Sequence, residues 1–413
     1  MFRPTSYLTL VLLFSSVSIT VGQSNVSPID IIQASIEKSN SDRYQELENY
    51  DYRLPLIDNA QFRTETNDFL LNQQDYRLRV RPNSPRAQKA TKKYYAARLE
   101  EQKLLSREKR GQIIDFHYHY LLDYIYQQRI AAAMKHKIRL LEDKRRVVEN
   151  EVYDKNFDIT DLVEAKDEVF NANSLRSKLS EQINNRERYL AQILEDTGAE
   201  VQIDTVGLIT PEFIINYNPE LAESTEQINI LLKQNKIEAL ALESEMDIAD
   251  TKNLLRYVEV EYQTRQDFIF NDVFSIGLGI NLPFFGNARL QRGDYLLEKA
   301  EEETELEILK QEATQSEINA RAQFNAAKET YTALQEEIEN NSYDALIREM
   351  SSNASMNTKN LVKLYIFKLN REVKLIEAER ALMHAFLRVV SFRNDMTAEP
   401  LRNYLNISAY LDD

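Results

Sequence analysis

"VFSIGLGINLPFFGNARLQRG", Val273 to Gly293, holds four of the chain's eight glycines, Gly277, Gly279, Gly286 and Gly293. The sequence on either side is charged, helix-favouring and almost free of glycine. Within the stretch Phe274, Ile276, Leu278, Ile280 and Leu282 alternate with Ser275, Gly277, Gly279 and Asn281. That two-residue period is the mark of a strand with unlike faces. Pro283 closes it, since proline has no N–H to give a ladder, and Gly286 marks the bend into a helix. A short strand therefore interrupts a long helical text.

Three further strands are expected, giving segments at about 52–66, 74–82, 256–265 and 273–283. In "QDYRLRVRP", Tyr76, Leu78 and Val80 oppose Asp75, Arg77, Arg79 and Arg81. In "RYVEVEYQTR", Val258, Val260 and Tyr262 oppose Glu259, Glu261, Gln263 and Arg265. The segment at 52–66 is less regular. A half-buried sheet of a soluble sandwich shows the same alternation. Here only four strands occur, at one end of long helices, with no second sheet to cover their apolar faces. Strands of about ten residues suit a membrane barrel, apolar outward and polar inward, and such barrels need about eight strands. Four strands cannot close, so the chain is expected to assemble with copies of itself. Phe274, Ile276, Leu278, Ile280 and Leu282 are then lipid-facing, and Arg77, Arg79, Arg81, Glu259 and Glu261 face the lumen.

The helical text has few stops. Neither proline nor glycine occurs from Asp294 to Glu399, and from Arg86 to Thr197 only Gly111 intervenes. Ile113, Phe116, Tyr120, Tyr124, Gln127, Ala131, Met134, Ile138 and Leu141 step by three and four. Val362, Ile366, Leu369, Val373, Ile376, Arg380, Met383, Leu387 and Val390 do likewise, the seam of helices packed along their length. Gln127 and Arg380 interrupt the seams, as expected where part faces water. Each limb turns back at a tip, one at about 153–160 and one at about 350–358. Asp158 or Thr160 in the first, and Asn357 or Thr358 in the second, can cap the returning helix.

Aligning Leu162-Val163 with Leu361-Val362 gives an offset of 199, and aligning the strand-ending Pro82 with Pro283 gives 201. The chain therefore reads as two repeats, about 23–215 and about 216–413. In the second repeat one unbroken limb is expected from Gly286 to Met350. The offset sets Pro28–Tyr50 against Glu220–Leu255.

Of 413 residues, 28% are charged and 43% apolar, a long-helix composition that argues against disorder. Net charge is −15, which leaves no basic footprint for nucleic acid. With no cysteine there is no disulfide framework, thiolate metal site or catalytic thiol. Arg3 followed by "YLTLVLLFSSVSITV" and Gly22-Gln23 fits a secretory signal over residues 1–22, so the chain is expected to be exported. No later run is long and apolar enough for a spanning helix. His117 and His119 sit two apart, a spacing that on a helix turns them to different faces, and His136 and His384 are isolated. Neither a metal nor a cofactor is expected, and no nucleophile–base pair suggests an enzyme.

The order of elements, the tip "ITDLVEAKD" with its partner "TKNLVKLY", the "NPEL" at Asn218 and the strand–"NLPFFGNAR"–helix junction resemble the TolC family of outer-membrane efflux and secretion channels. The likeness spans nearly the whole mature chain. It implies a mainly α protein with a small β part, in which long antiparallel helical hairpins join four transmembrane strands. It implies a homotrimer, with a twelve-stranded barrel in outer-membrane lipid and a twelve-helix tunnel across the periplasm. The partners it implies are a periplasmic adaptor (membrane fusion) protein and an inner-membrane transporter that supplies the energy. By the same resemblance, Asp161 and Lys359 match the positions of an ion-pair latch at the tips. Lys363 and Ile366 stand where the family often has two carboxylates, so its cation-sensitive constriction is not carried over. The other reading is an exported coiled-coil scaffold or adaptor without a pore.

Overall fold

The computed structural model describes residues 25–38, 52, 55–66, 74–153, 157–194, 202–205, 207–217, 227–251, 255–267, 270–280, 288–341, 343–352, 358–392, 395–397 and 400–410. The expected signal segment lies outside these residues, as do Leu282, Pro283 and Gly286. In chain order the elements are β1 (Asn25–Val26), α1 (Pro28–Lys38), β2 (Ile57–Thr66), β3 (Gln74–Pro82), α2 (Pro85–Asn150) and α3 (Ile159–Ile193). There follow β4 (Gln202–Ile203), α4 (Pro211–Asn216), α5 (Ile228–Thr251), β5 (Leu255–Asp267) and β6 (Phe270–Ile280). Helices α6 (Ala288–Asn340), α7 (Tyr343–Ser352) and α8 (Thr358–Ser391) complete the set.

Strands β2, β3, β5 and β6 form one antiparallel sheet in that order. The register breaks at Ile57/Asn59 and Leu255/Tyr257, on strands entering from the helical end, and again at Thr264/Asp267 beside the β5–β6 turn. Irregularities there increase twist and re-aim side chains where a sheet meets another layer. A parallel two-residue pair, β1 with β4, sits apart from this sheet.

Helix α2 starts where Ser84 Oγ accepts from Ala87 N at 3.0 Å, with Pro85 in the first turn, where its missing N–H is not needed. It runs 66 residues, about 100 Å at 1.5 Å per residue. Asp158 caps α3 by accepting from Thr160 N at 2.9 Å. Helix α2 packs against α3, α5 and α8, and α6 packs against α5 and α8.

The second limb departs from the expected unbroken run. It stops at Asn340 and resumes as α7 at Tyr343, without proline or glycine. Asn341 N and Nδ2 both donate to the Glu337 carbonyl, at 3.1 and 2.9 Å, so the last turn of α6 stays bonded up to the break. Helix α1 starts at Pro28 and α5 at Ile228. Helix α1 buries Ile31 and Ile32 and packs on α2 and α3, while residues 39–51 lie outside the described set.

The main core sits midway along the limbs. Ile114, Tyr118, Leu121 and Leu122 of α2 meet Leu190 of α3, Ile214 of α4, Phe324 of α6 and Leu382, Phe386 and Leu387 of α8. Residues 400–410 strap this core: Tyr118 Oη donates to Arg402 O at 2.6 Å and accepts from Tyr404 N at 3.1 Å. Because α2 is enclosed here on several sides, its buried set is wider than one seam, and Phe116 of the expected seam is exposed. Gln127 does not face water as expected, while Arg380 keeps 36% of its side chain exposed. Gln127 is buried beside Gln182, and Arg380 is drawn onto Asp123. A smaller cluster nearer the tips joins Met134, Ile138 and Leu141 to Val169 and Ala172.

Tyr118→Phe leaves the strap's backbone groups without their partner. It is expected to cost about 1–3 kcal/mol, read by urea unfolding, and to make residues 400–410 the first site of proteolysis.

Candidate functional site

The sheet register stacks like with like. Ala60, Val80, Val258 and Leu278 form one row, Phe62, Leu78, Val260 and Ile276 the next, and Thr64, Tyr76, Tyr262 and Phe274 a third. Rings in the third row follow one another at 6.2 Å between Tyr76 and Tyr262 and 5.6 Å between Tyr262 and Phe274. The face is open: Phe62 is 68% exposed, Phe274 70%, Ile276 74%, Leu278 65% and Ile280 66%. Removing each such side chain from water gains about 1.5–3 kcal/mol, so the uncovered face is a strong demand for an apolar environment.

The opposite face is charged and internally paired. Arg77 Nε donates to Glu261 Oε1 at 3.0 Å, and Arg79 Nε donates to Glu259 Oε2 at 2.7 Å. Arg81 Nε lies 3.4 Å from Asp58 Oδ2, and Arg77 reaches Glu65 at 3.9 Å. All five charged residues expected on the polar face stand on it. Gly277 and Gly279 share that face. The Arg79 guanidinium lies 4.2 Å over the Tyr257 ring, and a Cβ on Gly279 would come within 2.3 Å of that ring. Gly279 is thus required by a cross-strand aromatic neighbour within the same chain.

At the tips, Lys359 Nζ donates to the Asp161 carboxylate, joining the start of α8 to the start of α3. A cation at a helix N-terminus opposes the helix dipole, and Asp161 offsets that cost. The bond to Asp161 raises the Lys359 pKa, and the bonds from Thr160 lower that of Asp158. Lys363 is exposed, whereas Ile366 packs against the cluster of Met134 and Val169.

A polar hub between the hairpins had not been expected from the sequence. Asp123 of α2 accepts from Arg186 of α3 at 2.8 Å and from Arg380 of α8 at 2.6 Å, and lies 2.8 Å from His384 Nε2. Burial pushes the Asp123 pKa up, but bonds from His384 and Arg380 outweigh it and hold the carboxyl well below the usual range. His384, expected to be isolated, pairs with His119. His117 turns away, as its spacing predicts, toward Ser35 and Tyr189. The available signal was matched spacing: His119 and Asp123 are four apart on α2, as are Arg380 and His384 on α8.

Among the described residues, no group of three or more His, Asp or Glu side chains is placed to hold a metal. No described helix is long and apolar enough to cross a membrane. Gly279→Val should weaken the folded sheet by forcing Tyr257 aside. The double change Gly279→Val with Tyr257→Ser should recover thermal stability in detergent, and no recovery would show that Tyr257 is not the obstacle.

No family model matches the sequence, and no curated protein matches it. Solved structures do match over nearly the full length. A membrane protein from Pseudomonas aeruginosa superposes with a TM-score of 0.63 at 12% identity, covering 89% of this chain and 90% of that one. The open state of the MtrE outer-membrane channel of Neisseria gonorrhoeae gives 0.61 at 12% identity, covering 91% of each chain. CusC, described for transmembrane channel formation, gives 0.62 at 11% identity, covering 88% of each. At such identity the likeness is one of fold: long helical hairpins joined to a four-stranded sheet make the chain's fold that of TolC-type outer-membrane channel protomers.

Proposed function

We propose that the chain is the protomer of a homotrimeric outer-membrane channel. It is a passive, gated conduit, either of a tripartite efflux pump for small molecules or of a type I secretion system for polypeptides. An inner-membrane transporter supplies the energy, and a periplasmic adaptor protein couples it to the tunnel. The chain performs no covalent chemistry and needs no cofactor. The observation that carries this reading is the sheet: four strands with one uncovered apolar face, one paired ionic face and two open edges. Three copies bring the strand count to twelve, above the roughly eight a barrel needs, and outer-membrane lipid covers the apolar rows. The exposed Phe170 of α3 and Leu297 of α6 fit burial between neighbouring limbs of a trimer. The chain is built as two repeats, about 23–215 and about 216–413, which accords with α3 and α8 starting 199 residues apart, at Ile159 and Thr358.

The tips are the gate in this reading, with Asp161–Lys359 as its latch. A surface pair contributes only about 0–1 kcal/mol, so the three copies acting together bias the closed state weakly and leave it easy to open.

The purified protein should insert into planar bilayers and conduct in discrete steps. A protein that stays monomeric and soluble without detergent, and never conducts, would overturn the channel. Asp161→Ala should raise open probability, and an unchanged open probability would remove the latch. Glu259→Gln with Glu261→Gln removes the carboxylates to which Arg77 and Arg79 donate and should move the reversal potential toward anion selectivity. An unmoved potential would mean that the charged face does not line the pore.

A further inference from the structure

The rings of His119 on α2 and His384 on α8 are nearly parallel, 11° apart with centroids at 4.9 Å, and their Nδ1 atoms lie 2.6 Å from each other. Two bare ring nitrogens at that distance repel, so one of them carries a proton. A zinc-like ion between them, with bonds of about 2.0–2.1 Å and tetrahedral angles, would hold the two nitrogens more than about 3 Å apart. The spacing fits a proton and not a metal. His384 Nε2 lies 2.8 Å from Asp123 Oδ1, a carboxylate that only accepts, so this nitrogen bears a hydrogen. In the neutral pair His384 Nδ1 is therefore the acceptor and His119 Nδ1–H the donor. The next proton goes to His119 Nε2, which lies 3.6 Å from Asp115 Oδ1 and keeps the inter-ring bond intact. A second proton can reach only His384 Nδ1, and there it abolishes that bond.

Burial and nearby positive charge resist a proton on His119. Asp115 and Asp123 on α2 supply two negative charges, while Arg186 on α3 and Arg380 and Arg388 on α8 supply three positive ones. Each imidazolium adds to an existing positive excess in a half-buried site. We propose that the His119–His384 pair is an acid-sensitive tie between the two helical hairpins, holding α8 on α2 while neutral and forcing the two helices apart when both rings are protonated. The sign follows from linkage. Burial lowers the His119 pKa, so below the ordinary value of about 6.5 the folded protein binds fewer protons than the unfolded chain. Stability contributed by keeping His119 neutral is complete above that value and is lost as pH falls through the lowered one, and the tie itself opens only with the second proton, on His384 Nδ1. The tie depends only on contacts within one chain, so it stands or falls independently of whether the protein conducts.

Hydrogen exchange on the full-length protein in detergent tests it, with rates corrected for intrinsic pH dependence. Between about pH 7.5 and pH 5, residues 115–123 and 380–388 should lose protection by about tenfold or more, while residues 161–169 do not. His384→Phe keeps a stacked ring that cannot titrate, and His119→Gln keeps a neutral donor, so each should abolish the acid response. The proposal is overturned if wild type shows no local loss, if the loss spreads through all helices, or if either variant retains it. Should both variants fail to fold, the wild-type pattern decides by the same first two outcomes.

Discussion

A sheet with one apolar face must be covered, and nothing else in the described chain covers this one. Its register is the constraint from which the rest follows, because a two-residue period admits no compromise: a one-residue slip would carry Phe274, Ile276 and Leu278 to the ionic face. The cross-strand pairs Arg77–Glu261 and Arg79–Glu259 hold that register from the other side. Gly279 contributes as well, since only a residue without a side chain leaves room for Tyr257 beneath Arg79. Among the described residues the outer strands β2 and β6 have unpaired backbone edges, which a protein must close, cover or pair with another chain.

Below the sheet, the helical limbs rely on a different economy. Their hydrophobic seams are interrupted by polar ties that each join elements distant in sequence. Asp123 draws in α3 and α8 together, Lys359 reaches Asp161 across the tips, and Lys233 of α5 bonds to the nearly buried Glu302 of α6. A largely buried pair such as Lys233–Glu302 adds little net stability but penalises any other alignment of the helices, because displacement strands a charge. For long helices that could slide past one another by a turn, such ties select one register.

Much of this was legible in the sequence, and for identifiable reasons. Alternation between residues 74 and 82 and between about 256 and 265 marks strands because the period is short and the faces differ strongly. Long spans without glycine or proline marked the limbs, and the start of α3 after Asp158 followed from its capping residue. What escaped was set by tertiary contact. Arg380 looked like a solvent-facing flaw in a seam until Asp123 was seen opposite it. His384 looked isolated because its partner is 265 residues away. The break after Asn340 carries no glycine or proline, so nothing in the local sequence marked it. The strap from Leu401 to Tyr410 has no periodicity at all, and its place is set by the hydroxyl of Tyr118.

The most direct test of the central claim, that the apolar face meets lipid and the ionic face meets water, uses the chain's lack of tryptophan. Ile276→Trp and Ser275→Trp each install a single reporter on adjacent residues of β6 with opposite facing. In vesicles of brominated lipid, fluorescence from position 276 should be strongly quenched and that from position 275 should not, while aqueous iodide should reverse the order. Equal quenching at both positions, or quenching by brominated lipid at position 275 alone, would contradict the assignment of faces.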